Sequence, residues 1–391
     1  MKLSKNVKKQ ILNIAFVVLL VGITFVVLLA SNDELSYADV KDYFGRCNFW
    51  LIACGVICML LFIFFEGLSL HVICRKLGYK PKMRSSIAYS ASDVYYSAIT
   101  PSATGGQPAS AFYMVRDGID GGTSGFALMF NLLAYTGAIL VIGLAAFAVG
   151  WSTFGELGTL VKVVVLIGLV VQVVLFSFFF ACMKYHNVVR KLGRGGIVLL
   201  TKMRLMKKPE KWLTKWDGVV EKYHNGFVEV KKHKGLFGLA LLLNVLQRLS
   251  QVMITYFVIA AVLPNVNFLE VFAAQVFVTL GYNSIPLPGG VGAFEFLYLN
   301  TYRALGFDDH FVVIAVMITR LISYYLCMLL SGGYTLAYHL LGGKKNKKEG
   351  GRVATNDLGM KEIADENEEK TEDRPTGEIR KTEEEKYEND K

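Results

Sequence analysis

The sequence predicts an all-α polytopic membrane protein with six full spans and two re-entrant helical hairpins arranged as an inverted-topology repeat. Three observations predict it. Of 391 residues, 53% are hydrophobic and only 19% charged. The apolar residues fall in runs of about twenty or more, the length that matches the hydrocarbon core of a bilayer. The net charge of +10 sits between those runs rather than within them. Two distant stretches, 96–106 (YSAITPSATGG) and 282–290 (YNSIPLPGG), share one pattern of tyrosine, small polar residues, isoleucine, proline and paired glycines.

Residues 1–10 carry Lys2, Lys5, Lys8 and Lys9, and 11–30 is an unbroken apolar run. That run is longer than a signal core of about 7 to 15 residues and has Leu28 where a small residue should precede cleavage, so it reads as a retained span entering from the cytoplasm. The loop 31–48 holds four acids against Lys41 and Arg46, whereas 73–86 holds five Lys/Arg and no acid. Lysine and arginine mark the inside, so the second span, 49–71, runs outside to inside. Residues 87–118 contain the first broken stretch. After it, 123–150 and 158–183 are clean spans joined by a short turn with Glu156.

The next loop, 184–234, has fourteen Lys/Arg and four Asp/Glu, which assigns it to the cytoplasm. Within it Trp212, Trp216, Val220, Tyr223 and Phe227 form a stripe at helical spacing. Such a helix either lies in the headgroup layer or packs on the protein's own cytoplasmic face. A nucleic-acid role lacks any folded basic module or aromatic platform. Residues 235–263 return to the outside, 268–306 contain the second broken stretch, and 312–341 bring the chain back in. The tail, 342–391, is charged, mixed in sign and poor in aromatics, a composition that predicts disorder. Both termini are expected in the cytoplasm, with the first membrane half at 1–183 and the second at 235–341.

Proline and glycine break helices at Pro101, Gly105 and Gly106, and again at Pro286, Pro288, Gly289 and Gly290. The offset between the copies is 186 at the tyrosine, 185 at the proline and 184 at the second glycine. Span parity makes 87–118 a hairpin opening inward and 268–306 one opening outward. Inverted repeats of this kind place substrate near the midplane where discontinuous helices meet, so the pattern points to a transporter or flippase.

Ionisable residues inside spans are costly and therefore candidate sites. Glu295 follows the second glycine pair and Arg320 lies in the last span; they either neutralise one another or hold a lipid headgroup. Gln107 follows the first glycine pair, Asp93 lies on the entering arm, and Arg116 with Asp117 lies at the exit. Glu66 adds a polar group near the inner end of the second span. Asn244, Arg248 and Gln251 share one helix face by spacings of four and three. No phosphate-binding glycine loop, GxSxG elbow, HExxH motif or Cys/His metal spacing occurs, and the six cysteines offer no disulfide framework. No cofactor or metal is expected.

Residues 100–119 (TPSATGGQPASAFYMVRDGI) and 286–306 (PLPGGVGAFEFLYLNTYRALG) resemble the two glycine-rich signatures of the lysylphosphatidylglycerol synthase transmembrane, flippase-like family. The likeness covers about residues 8–341. It implies a membrane half that moves an anionic or aminoacylated phospholipid, such as lysyl-phosphatidylglycerol, between leaflets of the bacterial cell membrane, with Glu295 and Arg320 at family positions. Many members carry an acid where this chain has Gln107. The resemblance also carries the label of phosphatidylglycerol lysyltransferase, with a role in cationic-peptide resistance, although the loops leave no room for a soluble transferase domain. An ion-coupled solute transporter is a third reading. The expected partner is membrane phospholipid, with a soluble or membrane protein partner and a homo-oligomer left open.

Overall fold

The computed structural model describes residues 37–100, 103–202, 209–233, 235–285 and 287–349. The first predicted span, the tail from 350 onward, Pro101 and Pro286 lie outside the described residues. The helices are α1 (Tyr37–Arg46), α2 (Phe49–Lys76), α3 (Met83–Ile99), α4 (Gly106–Arg116), α5 (Gly121–Val149), α6 (Trp151–Glu156) and α7 (Thr159–Lys184). They continue as α8 (His186–Lys202), α9 (Pro209–Lys231), α10 (Leu236–Ala260), α11 (Phe268–Asn283), α12 (Ala293–Ala304), α13 (Asp309–Arg320) and α14 (Cys327–Glu349). No strand occurs among the described residues. The unit from His339 onward is described only as the end of one helix.

Five helical stretches are long and apolar enough to cross a bilayer: α2, α5, α7, α10 and Asp309–Leu341. The protein is a multi-pass membrane protein. Its apolar residues do not all turn inward. Leu166, Ile167, Val170, Val173 and Val174 of α7 are exposed, as are Ile57, Leu60, Leu61 and Phe64 of α2. A helix apolar on all sides suits lipid on one face and protein on the other.

Helix α2 packs along α10. The helix ends are set by the residues around them. Asn48 caps α2 through Trp50 N–H, Asp120 caps α5 through Gly122 and Thr123, and Asp308 caps α13 through Phe311. Asp120 also accepts from Tyr79 at 2.5 Å. Although burial pushes the other way, the bonds from Thr123 and Tyr79 hold its carboxyl below the usual range.

Between α3 and α4, and between α11 and α12, the chain breaks and doubles back, and the two arms of each pair pack together. The arms have 17, 11, 16 and 12 residues. At 1.5 Å per residue each is about 16 to 26 Å long, short of the roughly 30 Å hydrocarbon core.

The stripe on α9 packs on the protein. Val220 and Tyr223 are buried, Tyr223 donates to the Cys182 carbonyl at 3.3 Å, and its ring meets Phe126 edge-on. Trp216 lies against Gly193 of α8 and donates to the Arg190 carbonyl. Trp212, at the end of the stripe, stays exposed.

Close helix approach depends on small residues. A Cβ on Gly168 of α7 would stand 2.0 Å from the Leu280 carbonyl oxygen of α11, so the backbones touch there. Gly168→Ala is expected to force α7 and α11 apart and cost about 1–3 kcal/mol, as overpacking does. Thermal unfolding in detergent should show a lowered midpoint, while Gly155→Ala, with nothing within 4 Å, should leave it unchanged. Equal midpoints for the two variants would contradict the contact.

Candidate functional site

The second break is closed by one arginine. Gly289, Gly290 and Gly292 have φ of 58°, 64° and 85°, values that a side chain disfavours. The first two also lie against rings, since a Cβ on Gly289 would meet the Tyr324 ring at 2.3 Å and one on Gly290 the Tyr282 ring at 2.7 Å. A turn of this kind exposes backbone carbonyls. Arg320 donates to them from Nη1 to Gly289 (3.1 Å) and from Nη2 to Gly290 (3.0 Å). Its other donors hold Glu295, Nε to Oε1 at 2.6 Å and Nη2 to Oε2 at 3.2 Å. Glu295 in turn accepts the Gly292 N–H at 2.6 Å, which caps α12.

Both side chains are buried, and the guanidinium lies over the Phe294 ring at 4.2 Å. Of the two sequence readings, neutralisation describes the geometry: this is a bidentate pair whose remaining donors hold the turn.

Immediately after Arg320 the helix widens into a π-helical turn, Leu321–Leu326. Tyr324, four residues on, donates to the Ala98 carbonyl near the end of α3 at 3.0 Å. Ala98, Tyr324, Tyr325 and Met328 form a small cluster with Tyr95, Ile99 and Val291 around it. The two breaks, nearly two hundred residues apart in sequence, therefore meet across Tyr324.

A second polar cluster lies behind the first break. It gathers Glu66 of α2, Asp93 of α3, Gln107 of α4, and Gln247 and Arg248 of α10. Glu66 accepts from Ser90 at 3.0 Å and from Gln247 Nε2 at 3.1 Å. Asp93 accepts from Gln107 Nε2 at 2.9 Å. A Cβ on Gly106 would overlap Asp93 and Ser97, so this glycine lets α4 close on α3.

Arg248 is buried between the Tyr135 ring (4.1 Å) and the Phe62 ring (5.2 Å) and donates from Nη1 to Gln251 at 2.5 Å. Its Nε has no hydrogen-bond partner, nor have Oε1 of Gln247 and of Gln107. Unlike the Glu295–Arg320 pair, this cluster keeps spare donors and acceptors.

The structure brings Asp93, Gln107 and Arg248 together, and pairs Glu295 with Arg320. Arg116 stands apart. It lies 3.8 Å from Asp117 and over the rings of Tyr113 and Tyr338, while Asp117 accepts from Tyr89 and Tyr338. These bonds tie α3 and the end of α4 to α14. Asn244, on the same face as Arg248, is fully buried and bonds Ser69 and Asn131 of neighbouring helices at 3.2 and 3.1 Å.

Gln247 was legible only in part: its spacing of three from Asn244 and four from Gln251 puts it on the flagged face. Tyr324 carried no sequence signal beyond its spacing of four from Arg320.

Removing Arg320 strands a buried carboxylate and two turn carbonyls. Arg320→Ala is expected to cost about 3–5 kcal/mol, read as a large drop in thermal midpoint of the purified protein in detergent. Arg320→Lys should fall between, since an ammonium lacks the planar fork. An Arg320→Ala protein as stable as wild type would show that the pair does not hold the turn.

A curated relative, a UPF0104 membrane protein of Archaeoglobus fulgidus, is 23% identical over 109 residues, covering 28% of this chain and 32% of that protein. The chain thus spans about a third of that relative's length in the match. The family model described as the lysylphosphatidylglycerol synthase TM region matches residues 10–331, nearly the whole membrane part laid out above, and the chain belongs to that family.

Proposed function

We propose that this protein is a lipid translocator that moves an anionic or aminoacylated phospholipid between leaflets by alternating access where the two helix breaks meet. One observation carries the reading. Two breaks from separate halves of the chain come together over Tyr324, beside a buried cluster that holds two carboxyl groups, one arginine and unsatisfied hydrogen-bonding atoms.

Broken helices in a membrane persist only where protein or a water-filled cavity satisfies them, and such breaks line the sites of inverted-repeat transporters. The short arms fit two half-span hairpins entering from opposite faces, and the name of the family points to lipid chemistry.

Arg248 suits a phosphate because its fork donates parallel hydrogen bonds, and the carboxyl groups suit an amine-bearing headgroup. In this topology α9 and the basic loops face the cytoplasm, and α1 faces outside.

Two measurements test the reading. In proteoliposomes, purified protein is expected to move fluorescent phosphatidylglycerol between leaflets, read as loss of protection from an impermeant quencher. Unchanged protection, together with altered lipid amounts in a deletion strain, would favour synthesis over flipping. Cysteines at exposed Thr104 and Leu287 should react with an impermeant maleimide from opposite faces; labelling of both from one face only would remove the inverted repeat.

A further inference from the structure

Away from both polar clusters, the ends of three membrane helices line a cavity of about 380 Å³, within the roughly 300–1,000 Å³ usual for ligand sites. Its apolar walls are Phe130 and Leu133 of α5, Phe176, Phe180 and Met183 of α7, and Phe237 of α10. Because α7 ends at Lys184 and α10 begins at Leu236, Met183 and Phe237 set the cavity at one surface of the membrane.

The cavity is separate from the Arg248 cluster. Leu133 lines it, whereas Tyr135, two residues on, lies against Arg248. Two residues turn an α-helix by about 200°, so the two side chains leave α5 on opposite sides. Phe237 and Arg248 are eleven residues apart on α10, about 16 Å along the axis.

Two lining residues are polar. Lys231, exposed, ends α9, and His233, half-buried, follows it. Lys231 Nζ lies 5.0 Å from the centre of the Phe227 ring, so its stem rests on apolar surface while the ammonium reaches water. His233 also lines a second, polar cavity of about 480 Å³, together with Arg75 and Lys76 at the end of α2, Tyr79, Asn225 and Glu229. Glu229 is already held by Lys232 at 2.6 Å. An aromatic, apolar compartment and a basic, polar one therefore adjoin at His233.

We propose that these two compartments form a binding site for one anionic phospholipid, distinct from the junction of the helix breaks. An acyl chain lies in the apolar cavity against Phe130, Phe176 and Phe180. The phosphate is held where the compartments adjoin, by the Lys231 ammonium and an N–H of His233, both donors. The rest of the headgroup extends toward Arg75 and Lys76. Basic pockets between membrane helices at the membrane surface recognise acidic headgroups in this way. A soluble phosphate would use the polar compartment alone and leave the aromatic one without a purpose. The bound lipid joins α5, α7 and α10 to the end of α9, and so ties the basic loop to the spans.

Photo-crosslinking tests the site without any reading of transport. Full-chain protein in phosphatidylcholine vesicles is given a trace of phosphatidylglycerol carrying a diazirine midway along one acyl chain, and the adducts are mapped by mass spectrometry. Adducts are expected within 130–133 and 176–183. Unlabelled phosphatidylglycerol should compete with the probe, and inorganic phosphate should not. At limiting probe, Lys231→Gln should lower the yield about fivefold and the double variant Arg75→Gln, Lys76→Gln about twentyfold, whereas Lys231→Arg should keep it.

Equal labelling by a phosphatidylcholine probe, or a Lys231→Gln yield equal to wild type, overturns the site and leaves only the lipid that surrounds any span. Displacement by inorganic phosphate overturns the lipid assignment in favour of an anion site. An unchanged yield in the Arg75, Lys76 variant alone overturns the headgroup placement and leaves the phosphate at Lys231 and His233. None of these outcomes depends on movement of lipid between leaflets, so translocation stands or falls separately.

Discussion

Backbone polar groups inside a bilayer must find partners within the protein, because lipid supplies none. The turn at 288–292 meets that constraint largely through one ion pair. Arg320 satisfies two glycine carbonyls and, by holding Glu295, steadies the carboxylate that satisfies the Gly292 N–H. The glycines are there because the turn needs left-handed backbone beside two tyrosine rings. Arginine is there because a planar fork reaches carbonyls and carboxylate at once. The π-helical turn that follows keeps Tyr324 on the same side, where it reaches the opposite break. The geometry of the junction thus descends from one ion pair.

The two buried polar clusters do different work. In the Glu295–Arg320 pair nearly every donor and acceptor is used, and breaking such a pair leaves an uncompensated charge. Around Glu66, Asp93 and Arg248 the bonds are partial: the guanidinium lies between two rings with Nε unpartnered, and Oε1 of Gln107 and of Gln247 has no hydrogen-bond partner. A low-dielectric site makes unsatisfied groups expensive. Their retention at the foot of a helix break is the observation on which we base binding rather than mere support.

Much of the fold was legible because membrane helices are set by local properties. Hydrophobic runs give the spans, and proline and glycine give the breaks: α4, α11 and α12 fall within the predicted segments 87–118 and 268–306, while α3 begins earlier, at Met83. The α9 stripe shows the limit of periodicity. Trp216, Val220 and Tyr223 mark an apolar face at helical spacing, but a period says only that one side of a helix is apolar. The burial of Val220 and the contact of Trp216 with Gly193 show that α5 and α8 cover it. Ion pairing was equally ambiguous, since Glu295 and Arg320 are 25 positions apart and could have been partners or two halves of a ligand site.

By itself the sequence determined the membrane class, the places where helices break, and the residues whose charge makes them exceptional in lipid. All of these follow from composition and short-range backbone chemistry. Only the tertiary structure decided who meets whom: Glu66 with Ser90 and Gln247, Asn244 with Ser69 and Asn131, and the two breaks with each other through Tyr324. Spacing along a helix selects a face, and which face of another helix lies opposite depends on packing between segments far apart in the chain.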